Sequence, residues 1–139
     1  MHDLFSQDWT LPSRLDAVGS ILKEIVSNTK NLGWDEDACF AIHLALDEAL
    51  ANAIEHGNQG VEERDVNLKV NVTPERFEAV VQDQGSGFSP MDVPDPTDDA
   101  NLLRPCGRGV MLMQAYMTEV SFNARGNEVT LVRLAEVDS

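Results

Sequence analysis

The stretch Leu44-Ala45-Leu46-Asp47-Glu48-Ala49-Leu50-Ala51-Asn52-Ala53-Ile54-Glu55-His56-Gly57-Asn58 decides how the rest of the chain is read. It is rich in Ala and Leu and has no proline or internal glycine, so it predicts a helix. Gly57 is expected to end that helix as a left-handed cap. Glu48 and Asn52 are spaced to share one helix face. Beside Leu44, Ala45 and Ala51, a carboxylate and a carboxamide are costly to bury without partners. Either the pair lies on a solvated face or a ligand meets it.

Outward from this helix the chain falls into short elements. Residues 4–10 alternate weakly and predict an edge strand, and Leu11-Pro12-Ser13 predicts a turn and helix start. From Arg14 to about Asn31, Leu15, Val18, Ile21, Leu22, Ile25 and Val26 recur at helical spacing. Gly33 ends that helix, and Asp35 is placed as the N-cap of the next, with Glu36 and Asp37 in its first turn. Beyond Gly60, Val66–Val72 alternates strictly and Phe77–Asp83 forms a second strand after the Thr73–Arg76 turn. Residues 89–106 carry four of the six prolines and an acidic run, as a functional lid or a partly disordered segment does. Gly107 opens a helix through Val110, Met111, Met113 and Met117. Strands at about 119–124 and 128–134 follow, joined by the turn Arg125-Gly126-Asn127. Successive hairpins with helices gathered between them predict an α+β fold: a two-layer sandwich with a mixed, mainly antiparallel sheet covered on one face by helices. A doubly wound parallel sheet would need strict alternation, which is absent.

The length of 139 residues fits a single domain spanning 1–139. A net charge of −14, from 24 acidic and 10 basic residues, disfavours nucleic acid and anionic membrane surfaces as partners. No apolar run approaches a membrane span and no signal peptide is evident, so a cytoplasmic location is expected. The two cysteines fit that setting, Cys39 as core filler inside a helix and Cys106 in a Pro/Gly-rich loop.

Three stretches could carry chemistry. On the helix that carries both, Asn52 offers a hard oxygen for Mg2+, and Glu48, one turn earlier, could act as a general base. In Asp83-Gln84-Gly85-Ser86-Gly87-Phe88, a carboxylate at a strand end can accept from an exocyclic amine such as that of adenine. Gly85 and Gly87 would let the backbone approach a flat ligand. The alternative there is a simple strand-ending turn. Gly107-Arg108-Gly109 at a helix start can present amides and the positive helix end to phosphate, or can be a plain loop-to-helix joint. Arg104 and Arg108, two of the ten cations, cluster there. No lysine follows these glycines, which excludes a P-loop. His2, His43 and His56 show no metal-ligand spacing, and no Ser–His–Asp set is present.

In this order, Glu48-x3-Asn52-x3-His56-Gly57, Asp83-x-Gly85-x-Gly87-Phe88 and Gly107-Arg108-Gly109 resemble the Bergerat-fold ATPases. That superfamily includes gyrase B, heat-shock chaperone ATPases, sensor histidine kinases and mismatch-repair ATPases. The short chain and its ending, Gly-Arg-Gly-Val-Met-Leu-Met…Gly-Asn-Glu-Val-Thr-Leu, look most like the bacterial anti-sigma-factor serine/threonine kinases of partner-switching pathways.

The resemblance implies ATP and Mg2+ as cofactors, Asn52 as metal ligand and Glu48 as general base toward a seryl or threonyl hydroxyl. It implies Asp83 at the adenine amine, Gly85 and Gly87 around the base, and 89–106 as the ATP lid. Gly107 and Gly109 would meet the phosphates, with Arg104 or Arg108 assisting. A STAS-domain anti-sigma antagonist would be the substrate and a sigma factor the other partner of a homodimer. Some relatives carry a serine close to the Gly-x-Gly loop, and here Cys106 stands just before it. Two other readings stand beside this one: a nucleotide-gated switch without useful kinase activity, and the detached catalytic domain of a sensor kinase, which lacks room for a phosphoacceptor hairpin before residue 35.

Overall fold

The computed structural model describes residues 4–58, 61–84, 105–123 and 127–135, with 105–110 as backbone. One five-stranded sheet contains, in spatial order, β1 (Phe5–Pro12), β2 (Asp65–Val72), β3 (Arg76–Gln82), β5 (Glu128–Leu134) and β4 (Glu119–Phe122). All four ladders between them are antiparallel. Strict alternation sends Val66, Leu68, Val70 and Val72 of β2, with Phe77, Ala79 and Val81 of β3, into one buried face. On β1 and β2 the opposite face is polar, and Ser6 and Thr10 of β1 donate across to Asn71 and Asn67 of β2 at 2.6 and 3.1 Å. That polar ladder and the apolar pairs Trp9–Leu68 and Leu11–Val66 fix one register for the edge strand.

Three helices, α1 (Val18–Asn31), α2 (Glu36–Asn52) and α3 (Pro105–Tyr116), cover the apolar face, giving the expected two-layer α+β sandwich. α2 is central and contacts both α1 and α3. Its Ala41, Ala45 and Ala49, continued by Ala53, form a buried i,i+4 row of methyl side chains. Such a ridge lets neighbouring elements approach closely. Asp35 caps α2 as its sequence position predicts, accepting from the Ala38 amide at 2.7 Å. Gly33, at φ 103°, makes the left-handed break after α1. Trp34 then ties this corner to the sheet by donating from Nε1 to the Thr73 carbonyl at 2.8 Å.

Three expectations are corrected. Leu15 belongs to a short 3₁₀ turn, Leu15–Ala17, and is exposed, so the buried stripe of α1 begins at Val18. α3 begins at Pro105, two residues before Gly107; proline suits a first helical position because its missing N–H is not needed there. Gly57 is not a left-handed cap. α2 instead runs on into a π-helical turn, Ala53–Gly57, closed by the Asn58 amide donating to the Ala53 carbonyl at 2.8 Å. The wider turn shifts the helical register by one residue and sends Asn58 into the core.

Candidate nucleotide site

Glu48 and Asn52 lie half-buried on α2, in the same turn-to-turn row as half-buried Leu44. Neither side chain takes part in a hydrogen bond or ion pair among the described residues. Burial raises the pKa of the Glu48 carboxyl, and the negative charges of Asp47 and then Glu55 add to the rise. A carboxylate made more basic without being protonated by a fixed partner suits a proton acceptor.

The π turn carries this face to the end of β3. Gly57 lies directly against the Asp83 carboxylate, so closely that a Cβ there would overlap its Cγ and both oxygens. Asn52 lies about 6 Å beyond Glu48 along the axis of α2, and the π turn continues from there to Gly57. Asp83 therefore marks one end of a linear set and Glu48 the other, with Asn52 between them.

The backbone at Asp83 is held from two sides. Its amide donates to the Asn127 carbonyl at 2.9 Å, and Asn127 Nδ2 donates to its carbonyl at 3.2 Å. Asn127 is itself locked by Asn123, which donates from Nδ2 to Asn127 Oδ1 at 2.8 Å and accepts the Asn127 amide at 3.1 Å. On the other side, the Gln84 amide donates to Asn58 Oδ1 at 2.7 Å. Asn58 and Asn127 carry no site signal in the sequence. Asn127 sits in a Gly-Asn pair that reads as a hairpin turn, and Asn58 follows a glycine that reads as the helix end. Only their burial marks them as structural anchors.

The other expected site residues divide by location. Gly107, Arg108 and Gly109 lie in the first turns of α3, which packs on α2. Gly85, Gly87 and Arg104, and the lid up to Arg104, lie outside the described residues. His43 and His56 are exposed on the surface. Cys39 is buried with its Sγ 3.8 Å from the Trp34 carbonyl, and burial pushes the thiol pKa up, as befits an inert core residue. Among the described residues no cluster of three or more His, Cys, Asp or Glu could hold a metal ion. The donor set on α2 fits Mg2+ held through one Asn oxygen, with water and phosphate oxygens completing its shell.

The histidine kinase-like ATPase domain family matches this chain over residues 11–133, and the chain belongs to that family. Its two-layer architecture, with helices on one face of an antiparallel sheet, is of the Bergerat ATPase type. Among similar proteins, the serine-protein kinase RsbW of Bacillus licheniformis is 27% identical over 115 residues, covering 78% of this chain and 72% of that protein. The serine-protein kinase RsbW of Listeria monocytogenes is 24% identical over 129 residues, covering 86% of this chain and 79% of that protein. The crystal structure of the RsbU and RsbW domains of Rv1364c from Mycobacterium tuberculosis matches 96% of this chain with a TM-score of 0.64. The chain spans 33% of that longer protein at 17% identity, a likeness of fold. Homology to RsbW-type kinases thus accompanies family membership.

Proposed function

We propose that the chain is an ATP-dependent serine/threonine protein kinase of the anti-sigma-factor type, acting on a STAS-domain antagonist. The observation that carries the reading is the alignment of Glu48, Asn52 and Asp83. Among the described residues the Glu48 and Asn52 side chains make no hydrogen bond or ion pair and share one face of α2, and Gly57 in the π turn that continues the helix abuts the Asp83 carboxylate at the exit of β3. The relatives named serine-protein kinase RsbW support the choice of hydroxyl as acceptor.

In this reading Asp83 accepts from the adenine amine and so sets the register of the nucleotide along α2. Asn52 holds Mg2+, whose charge stabilises the phosphate oxygens. Gly107 and Gly109 offer backbone amides near the positive end of α3 to the phosphates, assisted by Arg104 or Arg108. The resemblance further assigns Gly85 and Gly87 to the base pocket and about 89–106 to the ATP lid, of which all but Pro105 and Cys106 lie outside the described residues. Glu48 takes the proton of a seryl or threonyl hydroxyl as its oxygen bonds to the γ-phosphorus, while the bond from that phosphorus to the bridging oxygen breaks and ADP leaves. Such transfer depends on positioning and charge stabilisation more than on covalent chemistry, which suits so small a site. A sigma factor is the second partner of a homodimer working in the cytoplasm.

Transfer of label from radiolabelled ATP to purified STAS-domain proteins tests this. Wild type should label one of them. Glu48→Gln should keep ATP affinity within about threefold and lose transfer by at least about a hundredfold, the scale of general-base contributions. Full transfer by Glu48→Gln would remove Glu48 from the chemistry. ATP binding by wild type with no transfer to any such protein would instead define a nucleotide-gated switch.

A further inference from the structure

Asn58 is fully buried, yet its carboxamide is bonded at both ends. Nδ2 donates to Ser13 Oγ at 2.8 Å and to the Asp65 carbonyl at 3.0 Å, and Oδ1 accepts from the Gln84 amide at 2.7 Å. These partners belong to the exit of β1, the start of β2 and the exit of β3. The cluster closes on itself. Ser13 Oγ donates to the Arg64 carbonyl at 2.6 Å, and Gln84 Oε1 accepts from the Asp65 amide at 2.7 Å. Since the Asn58 backbone amide closes the π turn, one residue fastens the end of α2 to the segment that follows Asp83.

Burial of a carboxamide is tolerated when every bond is made, and its directional bonds then fix orientation in a way that apolar packing does not. We propose that Asn58 is a positioning residue for nucleobase recognition: it holds the Gln84 amide, and through it the Asp83 carboxylate, where the exocyclic amine of the base is read. The inference rests on the nucleotide-binding reading above. It assigns Asn58 to selectivity for the base, at the opposite end of the site from Glu48.

The test compares Mg2+-dependent binding of ATP and of purine riboside triphosphate, which lacks the exocyclic amine, by titration calorimetry. Wild type should prefer ATP by about tenfold or more, the worth of one hydrogen bond to a charged group. Asn58→Ala should cut that preference at least about threefold while affinity for the analogue changes less than about twofold, because a loosened carboxylate costs only the ligand that donates to it. Ser13→Ala removes one anchor of the carboxamide and leaves the Gln84 bond. It should lower the preference by less, and it decides the matter if Asn58→Ala does not fold. Equal loss of both ligands in a folded variant would make Asn58 merely structural and overturn the proposal. A wild-type preference that survives in both variants overturns it alone. Failure of wild type to bind either nucleotide overturns the nucleotide-binding reading and this proposal with it.

Discussion

At Gly57 a hydrogen in place of a methyl group lets the Asp83 carboxylate lie against the helix end. Alanine has the higher helical propensity by about 1 kcal/mol, so a glycine here is costly to the helix and is explained by the contact. Gly57→Ala should therefore weaken ATP binding by at least about tenfold through displacement of Asp83, without a matching fall in melting temperature. Unchanged affinity in calorimetry would show that Asp83 tolerates the shift. Glu48 is the second residue where local energetics point away from stability. Its pKa is raised on folding by burial, then by Asp47 and Glu55, so the folded chain holds that proton more tightly than the unfolded chain. The resulting contribution to stability is present below the ordinary value of 4.5 and is lost as pH rises through the folded value. At neutral pH the ionised carboxylate opposes folding. Glu48→Gln should melt higher than wild type near pH 7.5, and the gap should shrink as pH falls to about 4. A gap independent of pH would trace the gain to something other than charge.

α2 brings these residues together because it is central, alanine-ridged and started at a defined point. The Asp35 carboxylate accepting from Ala38 fixes its first turn, and with it the rotational phase that places Glu48 and Asn52 on the open side. Asp35→Ala should cost about 1 kcal/mol in urea denaturation, and Asp35→Ser should recover most of it. Equal loss in both would mean that the carboxylate acts by charge at the helix end and not by capping. At its other end α2 widens into the π turn, whose extra residue aims Asn58 into the core. π turns recur where a helix must serve both packing and a site, and here one turn does both.

Across the whole molecule, charge works against compaction. With a net charge of −14 the chain repels itself, and among the described residues the ion pairs Arg14–Asp16, Arg14–Glu62, Lys30–Glu36 and Arg76–Glu78 involve solvent-accessible side chains that contribute little. Raising NaCl from about 10 to about 150 mM should raise the melting temperature, since repulsion over distances near the Debye length is screened first. A fall would show that the ion pairs outweigh the repulsion.

The sequence by itself determined the order of elements, the two-layer architecture, the Asp35 cap, the break at Gly33 and the shared face of Glu48 and Asn52. Each follows from periodicity or from one residue's local chemistry, which act over a few neighbouring positions. Tertiary structure decided the rest. Gly57 reads as a helix stop and proves to be a close approach to Asp83, because the π turn is stabilised by what packs beyond it. Asn58 bonds Ser13 across 45 positions and Gln84 across 26, while Asn127 reaches Asp83 across 44. No local pattern encodes such pairs; they exist only once the sheet has brought β1, β2, β3 and β5 to the end of α2.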